Sequence, residues 1–137
     1  MKVVLGTNVL LVSISSKSKY RPIFNGFINE SYELFVTTDI LLEYEEIITE
    51  HMGGRIAEYV LQLIENAPNV SWITNYYKWN LIEADTDDNK FVDCAIACNA
   101  KYLVSDDKHF NILDKIPFPK VEVIMAEDFK KIIENLK

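Results

Sequence analysis

The stretch that decides the fold lies at the start of the chain and reads Lys2-Val3-Val4-Leu5-Gly6-Thr7-Asn8. Apolar and β-branched residues in unbroken succession predict a strand that is buried on both faces, and Gly6 predicts a tight break directly after it. Strands covered on both faces are typical of the interior of a parallel sheet. We therefore predict that Lys2–Leu5 forms the central strand of the fold.

Strand and helix patterns alternate along the rest of the chain. Four further runs predict strands, at residues 33–36, 70–73, 102–104 and 121–124. Apolar residues spaced by three and four predict five helices. The first begins at Pro22, the second runs from a cap at residues 37–39 to Gly53, the third spans residues 55–66, the fourth begins at Asp88, and the fifth spans residues 129–136. Residues 75–88 receive no assignment. This alternation predicts an α/β fold in which a parallel sheet is flanked by helices on both faces, with any site at the carboxyl ends of the strands.

Length and composition describe an ordinary globular chain. Its 137 residues match the size of one domain, so we expect a single domain over residues 1–137. The chain is 49% hydrophobic and 26% charged, which excludes collagen-like and disordered classes. The longest apolar runs fall far short of the ~20 residues that a membrane span needs. No secretion signal is visible, and we expect a soluble protein in the cytoplasm.

The cysteines and the charge narrow the function classes further. Cys94 and Cys98 have neither a second cysteine pair nor a nearby histidine, so they predict small core residues, with no disulfide framework or zinc site. The net charge of −7 argues against a broadly basic surface that grips nucleic acid. It does not exclude a nuclease, because an acidic excess can be concentrated in a metal site.

Three acidic features fall at the sheet edge where such a fold places its sites. Glu43 lies one turn into the helix after the second strand. Three aspartates surround the start of the helix at Asp88, namely Asp85, Asp87 and Asp88 itself. Two more, Asp106 and Asp107, directly follow the strand at 102–104. Converging carboxylates without His or Cys suit Mg²⁺ or Mn²⁺, which prefer oxygen ligands. Such an ion lowers the pKa of a bound water and stabilises charge on a phosphodiester.

Each acidic residue also has a structural interpretation. Glu43 shares its helix with three other glutamates on what can be a solvated face, and the aspartates near Asp88 can serve as helix caps or turn residues. On a helical wheel Asp88 falls within the buried stripe, whereas Asp93 lies well off it. A carboxylate that points inward needs a partner or an ion. Only the joint placement of all three features favours a functional site.

The histidines and the aromatic residues carry weaker signals. His51 precedes Gly53 and predicts a charge at a helix C-terminus. His109 follows Asp107 closely enough to face the same site, but a general-base role is the lesser hypothesis. Four aromatic residues surround the third strand, where core or interface packing is a more frequent role than stacking on bases: Trp72, Tyr76, Tyr77 and Trp79.

Four stretches resemble the PIN domain, in particular the prokaryotic branch found as toxin components of toxin–antitoxin pairs. In chain order they occupy residues 3–10, 41–47, 85–91 and 102–110, so the resemblance spans nearly the whole chain. It implies a central parallel sheet of about five strands. It also implies a metal-dependent ribonuclease site that is built from four acidic residues.

The resemblance assigns a role to individual residues of this chain. Glu43, Asp88 and Asp107 match the second, third and fourth acidic positions, with catalytic and metal-binding roles, and Asp93 is a possible auxiliary ligand. The first acidic position, in a pattern that usually reads Asp-Thr-Asn, is Gly6 here. Thr7 and Asn8 remain to hold the loop or a water on the metal. Ser105 and Asp106 stand where Thr and Gly are common, with Ser105 as a supporting residue.

Gly6 admits two accounts. Either the chain is an inactive form, arising naturally or selected because an active ribonuclease harms its host, or three carboxylates retain a weakly held ion. We favour strongly reduced activity, because a hard ion that sheds water reluctantly binds less well after losing one anionic ligand. The expected function is a metal-dependent endonuclease for single-stranded RNA that uses Mg²⁺ or Mn²⁺ and is impaired at Gly6.

The alternative function is a non-catalytic binding module that recognises a protein partner such as an antitoxin. We also expect a homodimer, because relatives of this kind often dimerise and the helices over 39–66 carry more apolar residues than one sheet face covers.

Overall fold

A computed structural model describes residues 1–74 and 77–136. Its centre is a five-stranded sheet in the order β3-β2-β1-β4-β5, in which every pair is parallel. The strands are β1 (Lys2–Leu5), β2 (Glu33–Val36), β3 (Val70–Trp72), β4 (Tyr102–Val104) and β5 (Val123–Ile124). The predicted α/β class, the five parallel strands and the central place of β1 are therefore confirmed.

Helices connect the strands and cover the sheet. They are α1 (Thr7–Ser13), α2 (Arg21–Ile28), α3 (Thr38–Met52), α4 (Gly54–Asn66), α5 (Asn89–Cys98) and α6 (Ala126–Glu134). Short 3₁₀ helices occupy Thr86–Asp88 and Lys108–Lys115. The side chains of Val3, Val4 and Leu5 are buried, as a strand with a helical layer on each face requires.

The strand register brings the carboxyl ends of β1 and β4 side by side. Leu5 pairs with Val104, and the backbone N–H of Gly6 donates a 2.8 Å hydrogen bond to the carbonyl oxygen of Val104. The residues that directly follow both strands must therefore lie close together. Parallel strands end at one edge of the sheet, and this edge carries the candidate site.

The helix boundaries follow local signals in the sequence. The Thr37 hydroxyl accepts the backbone N–H of Ile40 and caps α3, and α3 ends at Gly53, whose φ of 91° favours glycine. Cys94 and Cys98 are buried, as expected, and His51 lies in the last turn of α3.

Several elements differ from the sequence-based expectation. The sequence patterns predict no element directly after Asn8, where the structure has most of α1, and α6 begins at Ala126, three residues before the predicted start. The 3₁₀ helix over Lys108–Lys115 was not predicted, since a tight turn of this kind leaves no long apolar period. The prediction for Tyr76 lies outside the described residues. In the described part of the chain, no helix combines the length and the apolar character of a membrane span.

Candidate active site

A cleft of about 390 Å³ lies at the carboxyl ends of β1 and β4. Its walls come from the starts of α1 and α5, the second turn of α3, and the loop after β4. Six of its polar lining residues are Thr7, Asn8, Glu43, Asp88, Ser105 and Asp107, and Gly6 lies on its floor at the end of β1. The structure therefore brings Glu43, Asp88 and Asp107 together in one cleft beside Gly6. Of the other acidic residues that the sequence pointed to, Asp85, Asp87 and Asp93 do not line it.

Glu43 is positioned by its neighbour in the sequence. The fully buried Tyr44 donates a 2.6 Å hydrogen bond to the carbonyl oxygen of Leu5, which ties α3 to the end of β1. Glu43 then faces Thr7, whose hydroxyl donates to its Oε2. The other carboxylate oxygen, Oε1, lies 2.7 Å from the Lys90 ammonium. Both oxygens of Glu43 are thus held by groups of this chain.

Lys90 is a cation inside an acidic environment. Its side chain is only 16% exposed, and Nζ lies 3.6 Å from Asp87 Oδ1 in addition to its contact with Glu43. Burial lowers the pKa of the ammonium, but the hydrogen bond to Glu43 and the attraction of Glu43 and Asp87 outweigh burial and leave the pKa above its ordinary value. Lys90 therefore stays charged.

Asp88 and Asp107 flank His109. The imidazole Nδ1 lies 3.2 Å from Asp88 Oδ2, 3.4 Å from Asp107 Oδ1 and 4.0 Å from Asp85 Oδ2. Burial raises the pKa of Asp88, and the charges of Asp107 and Asp85 raise it further, while His109 opposes the shift. The site therefore concentrates negative charge that is only partly balanced.

The loop after β4 aims Asp107 at the cleft. Its backbone N–H donates to Ser105 Oγ at 3.1 Å, and its Oδ1 accepts the N–H of His109 at 2.9 Å, which caps the following 3₁₀ helix. The adjacent Asp106 has a different role, because its Oδ1 accepts the N–H of Ala126 at 2.8 Å and anchors the start of α6.

Gly6 adopts an extended conformation, with φ of −62° and ψ of 152°, that any amino acid tolerates. A Cβ at this position would lie 3.1 Å from the carbonyl oxygen of Val104 and 3.5 Å from Ser105 Oγ. A side chain here would therefore enter the cleft after a shift of its neighbours by a few tenths of an ångström. Gly6 supplies no carboxylate where the other acidic side chains meet.

The comparison with family profiles decides the family. A profile described as PIN domain matches residues 2–109. The chain belongs to the PIN domain family. The resemblance of the four sequence stretches to PIN domains is thereby confirmed.

Two solved structures have the same PIN-like fold. One is VapBC2 from Rickettsia felis, solved with a DNA fragment from its promoter: identity is 15%, coverage is 91% of this chain and 98% of that chain, and the TM-score is 0.62. The other is VapC20 from Mycobacterium tuberculosis, described as a Sarcin-Ricin loop cleaving toxin: identity is 10%, coverage is 80% and 92%, and the TM-score is 0.57. Comparison with curated proteins gave no significant match.

Asp93 lies outside the cleft formed by the PIN acidic positions. It lines a neighbouring cavity of about 460 Å³ that shares Glu43 with the cleft, and its Oδ1 accepts the backbone N–H of Trp79 at 3.1 Å. The helical-wheel expectation that Asp93 avoids the buried face was wrong, because Asp93 is 4% exposed. The segment around Trp79 covers this side of α5. The spacing of apolar residues within α5 does not predict that another segment packs on the helix.

Sequence patterns do not single out three residues that position this PIN site. The spacing of Tyr44 indicates only the apolar face of α3, and the position of Lys90 indicates no role. Asn89 is buried, and its side chain donates to the carbonyl oxygen and accepts the N–H of Ile82, both at 2.9 Å, which fixes the loop before α5. The available signal was a polar amide directly beside Asp88 at a helix start.

The donor set fits a divalent cation of the kind that oxygen ligands bind. One ligand atom each from Asp85, Asp88 and His109 lies within 4.8 Å of the others, and Asp107 adjoins them across the imidazole. An imidazole nitrogen among carboxylates suits Mn²⁺ at least as well as Mg²⁺. Glu43 would join such a set while its oxygens already contact Lys90 and Thr7.

Proposed function

We propose that this PIN domain is a metal-dependent endonuclease for single-stranded RNA whose activity is strongly reduced by Gly6. One observation carries the proposal: Glu43, Asp88 and Asp107 face a single cleft at the end of the central strand, beside the backbone of Gly6. Carboxylates gathered in one cleft repel each other, and a bound cation offsets that repulsion.

The residues divide the work of binding and orientation. Asp88 and Asp107 would hold Mg²⁺ or Mn²⁺, with Glu43 as a third ligand and Asp85 and His109 at the rim. When bound, the cation would lower the pKa of an attacking water and offset negative charge on the phosphodiester. Thr7 orients Glu43 through its hydroxyl, and Ser105 orients the loop that carries Asp107. Asp93, the possible auxiliary ligand, lines the neighbouring cavity, so we expect at most a small contribution from it to metal binding at the cleft.

The relatives suggest a toxin–antitoxin setting. One fold neighbour is described as a toxin that cleaves the Sarcin-Ricin loop, and the other was solved with promoter DNA. We propose by analogy a cytoplasmic protein with an RNA substrate and an antitoxin partner.

Cleavage of RNA tests the proposal directly. The parent chain and Asp107→Asn are incubated with a labelled pool of single-stranded RNA in Mn²⁺, in Mg²⁺ and in chelator. We expect slow, Mn²⁺-dependent cleavage by the parent and none by Asp107→Asn. Equal cleavage by both proteins, or cleavage in chelator, would contradict the proposal.

A non-catalytic binding module is the second candidate function. It is favoured by the absence of a carboxylate at Gly6 and by the internal engagement of both Glu43 oxygens. Titration with Mn²⁺ separates the two functions, because a pure binding module should take up no ion at Glu43, Asp88 and Asp107.

We also propose that the chain forms a homodimer. Leu42 on α3 and Tyr59 on α4 are large apolar side chains that are mostly exposed to solvent. Light scattering at micromolar concentration should report two chains per particle, and a monomer would contradict this proposal.

A further inference from the structure

Lys90 approaches Glu43 from the neighbouring cavity and not from the cleft that Asp88 and Asp107 line. The ammonium lines the neighbouring cavity and not the cleft, whereas Glu43 lines both. Glu43 therefore forms part of the wall between the two spaces. Its Oε1 is bound by Lys90 at 2.7 Å, and its Oε2 accepts the hydroxyl hydrogen of Thr7.

This arrangement places a donor on each oxygen of Glu43, and one of these donors is a cation. A metal that recruits Glu43 must share the carboxylate charge with the Lys90 ammonium, whose side chain is only 16% exposed, or displace it. The affinity of a ligand is reduced by the fraction of molecules in which its binding group is available. The contact between Lys90 and Glu43 therefore lowers the affinity of the cleft for a divalent cation.

We propose that Lys90 is a positioning residue that acts as a resident counter-ion, competing with the divalent cation for Glu43 and weakening metal binding at the cleft. The inference rests on the proposed function, because it concerns the affinity of that same site. In the metal-free protein Lys90 compensates the charge of Glu43 and keeps α3 and α5 together at the site. Removal of the ammonium therefore has opposite effects on the two states.

Two control variants distinguish a specific contact between Lys90 and Glu43 from a general effect of positive charge near the cleft. Lys108 is an exposed lysine beside Asp107, and among the described residues it forms no salt bridge. Loss of its charge changes the potential of the cleft without releasing Glu43. Lys90→Arg retains the positive charge and the ability to bind a carboxylate, so it should preserve the competition.

The experiment measures Mn²⁺ affinity of the full chain by calorimetry and by the electron paramagnetic resonance of free Mn²⁺. Lys90→Met and Lys90→Gln should each bind Mn²⁺ about five- to tenfold more tightly than the parent. Lys90→Arg should match the parent, and Lys108→Met should differ from it by less than about twofold. In the Glu43→Gln background, Lys90→Met should give no gain in affinity.

Melting in chelator supplies a readout that is independent of metal. Lys90→Met and Lys90→Gln should melt at lower temperatures than the parent, and circular dichroism verifies that they fold. If the parent binds Mn²⁺ and neither variant binds it more tightly than Lys108→Met, the competition proposed for Lys90 is wrong and the proposed function stands. If Mn²⁺ binds neither the parent nor any variant, the proposed function itself fails.

Discussion

Asp88 directly precedes α5 and Asp93 lies in its second turn. Burial raises the pKa of both carboxyls, yet their partners differ. Asp88 meets His109 and two other aspartates around the cleft. Asp93 accepts one backbone N–H, from Trp79, in the neighbouring cavity, where the charge of Lys78 also attracts it. A buried carboxyl with a raised pKa therefore does not by itself identify a site. A candidate metal ligand differs from a structural hydrogen-bond acceptor in the number of acidic and histidine side chains around its carboxyl.

The largest effect should come from completing the cleft with Gly6→Asp. The new carboxylate lies next to Asp88 and Asp107 and should raise Mn²⁺-dependent RNA cleavage by about a hundredfold or more. Asp107→Asn in the same chain should abolish the gain. No cleavage of any single-stranded RNA by Gly6→Asp would remove the nuclease interpretation and favour the binding module.

The stability of Gly6→Asp should depend on metal in a defined way. In chelator the variant should be no more stable than the parent, because the gathered carboxylates repel each other and the new Cβ presses on Val104 and Ser105. With Mn²⁺ at a hundred times its Kd, binding should add roughly 2.7 kcal/mol. Thermal melting with and without Mn²⁺ checks this order, and identical shifts for both proteins would refute it.

Replacing Asp107 or Asp93 by asparagine tests whether the cleft and the neighbouring cavity differ in metal binding. Asp107→Asn should weaken Mn²⁺ binding by about tenfold or more, since it removes an anionic ligand. Asp93→Asn should leave the affinity within about twofold. Calorimetric titration of the two variants is the measurement. An equal loss in both would place Asp93 among the ligands and erase the distinction drawn between the two spaces.

The dependence of stability on pH provides a smaller test. The raised pKa of Asp88 means that the folded state binds more protons than the unfolded state above the ordinary value of 3.8. In chelator, the free energy of unfolding should therefore fall as the pH rises from 3.8 to the raised pKa of Asp88. Asp88→Asn should flatten that fall and gain about 0.5 kcal/mol at neutral pH. Urea unfolding at several pH values gives the result, and an unchanged slope would contradict the burial of this charge.

The smallest effect is expected from Asp93→Asn on stability. The amide oxygen still accepts the N–H of Trp79, while the cost of burying a charge disappears. The metal-free variant should equal the parent or exceed it by a few tenths of a kcal/mol at neutral pH. A loss above about 1 kcal/mol would show that the attraction between Asp93 and Lys78 outweighs the cost of burying the charge.

Local patterns predicted the sheet better than they predicted the site. The apolar run at Lys2–Leu5 and the three-and-four spacing of α3 carry their structure within a few residues, so strands and helices followed from the sequence. The convergence of Glu43, Asp88 and Asp107 also followed, because parallel strands end at one edge.

The remaining contacts depend on segments that are distant in the sequence. The bond from Tyr44 to the carbonyl oxygen of Leu5 joins α3 to β1, and the pair of Lys90 and Glu43 joins α5 to α3. Neither has a periodic signature. The burial of Asp93 was missed for the same reason, since the loop that covers it has no pattern of its own.

The extended backbone at Gly6 has a genetic consequence. Because φ and ψ there suit every amino acid, replacement of the glycine requires no rebuilding of the turn. Every glycine codon becomes an aspartate or a glutamate codon by one transition at its second base. A gene that encodes this chain therefore lies a single transition away from a full set of four acidic residues. Populations that carry it can gain or lose that fourth carboxylate by point mutation, with Tyr44, Thr7 and Ser105 retained in place to receive it.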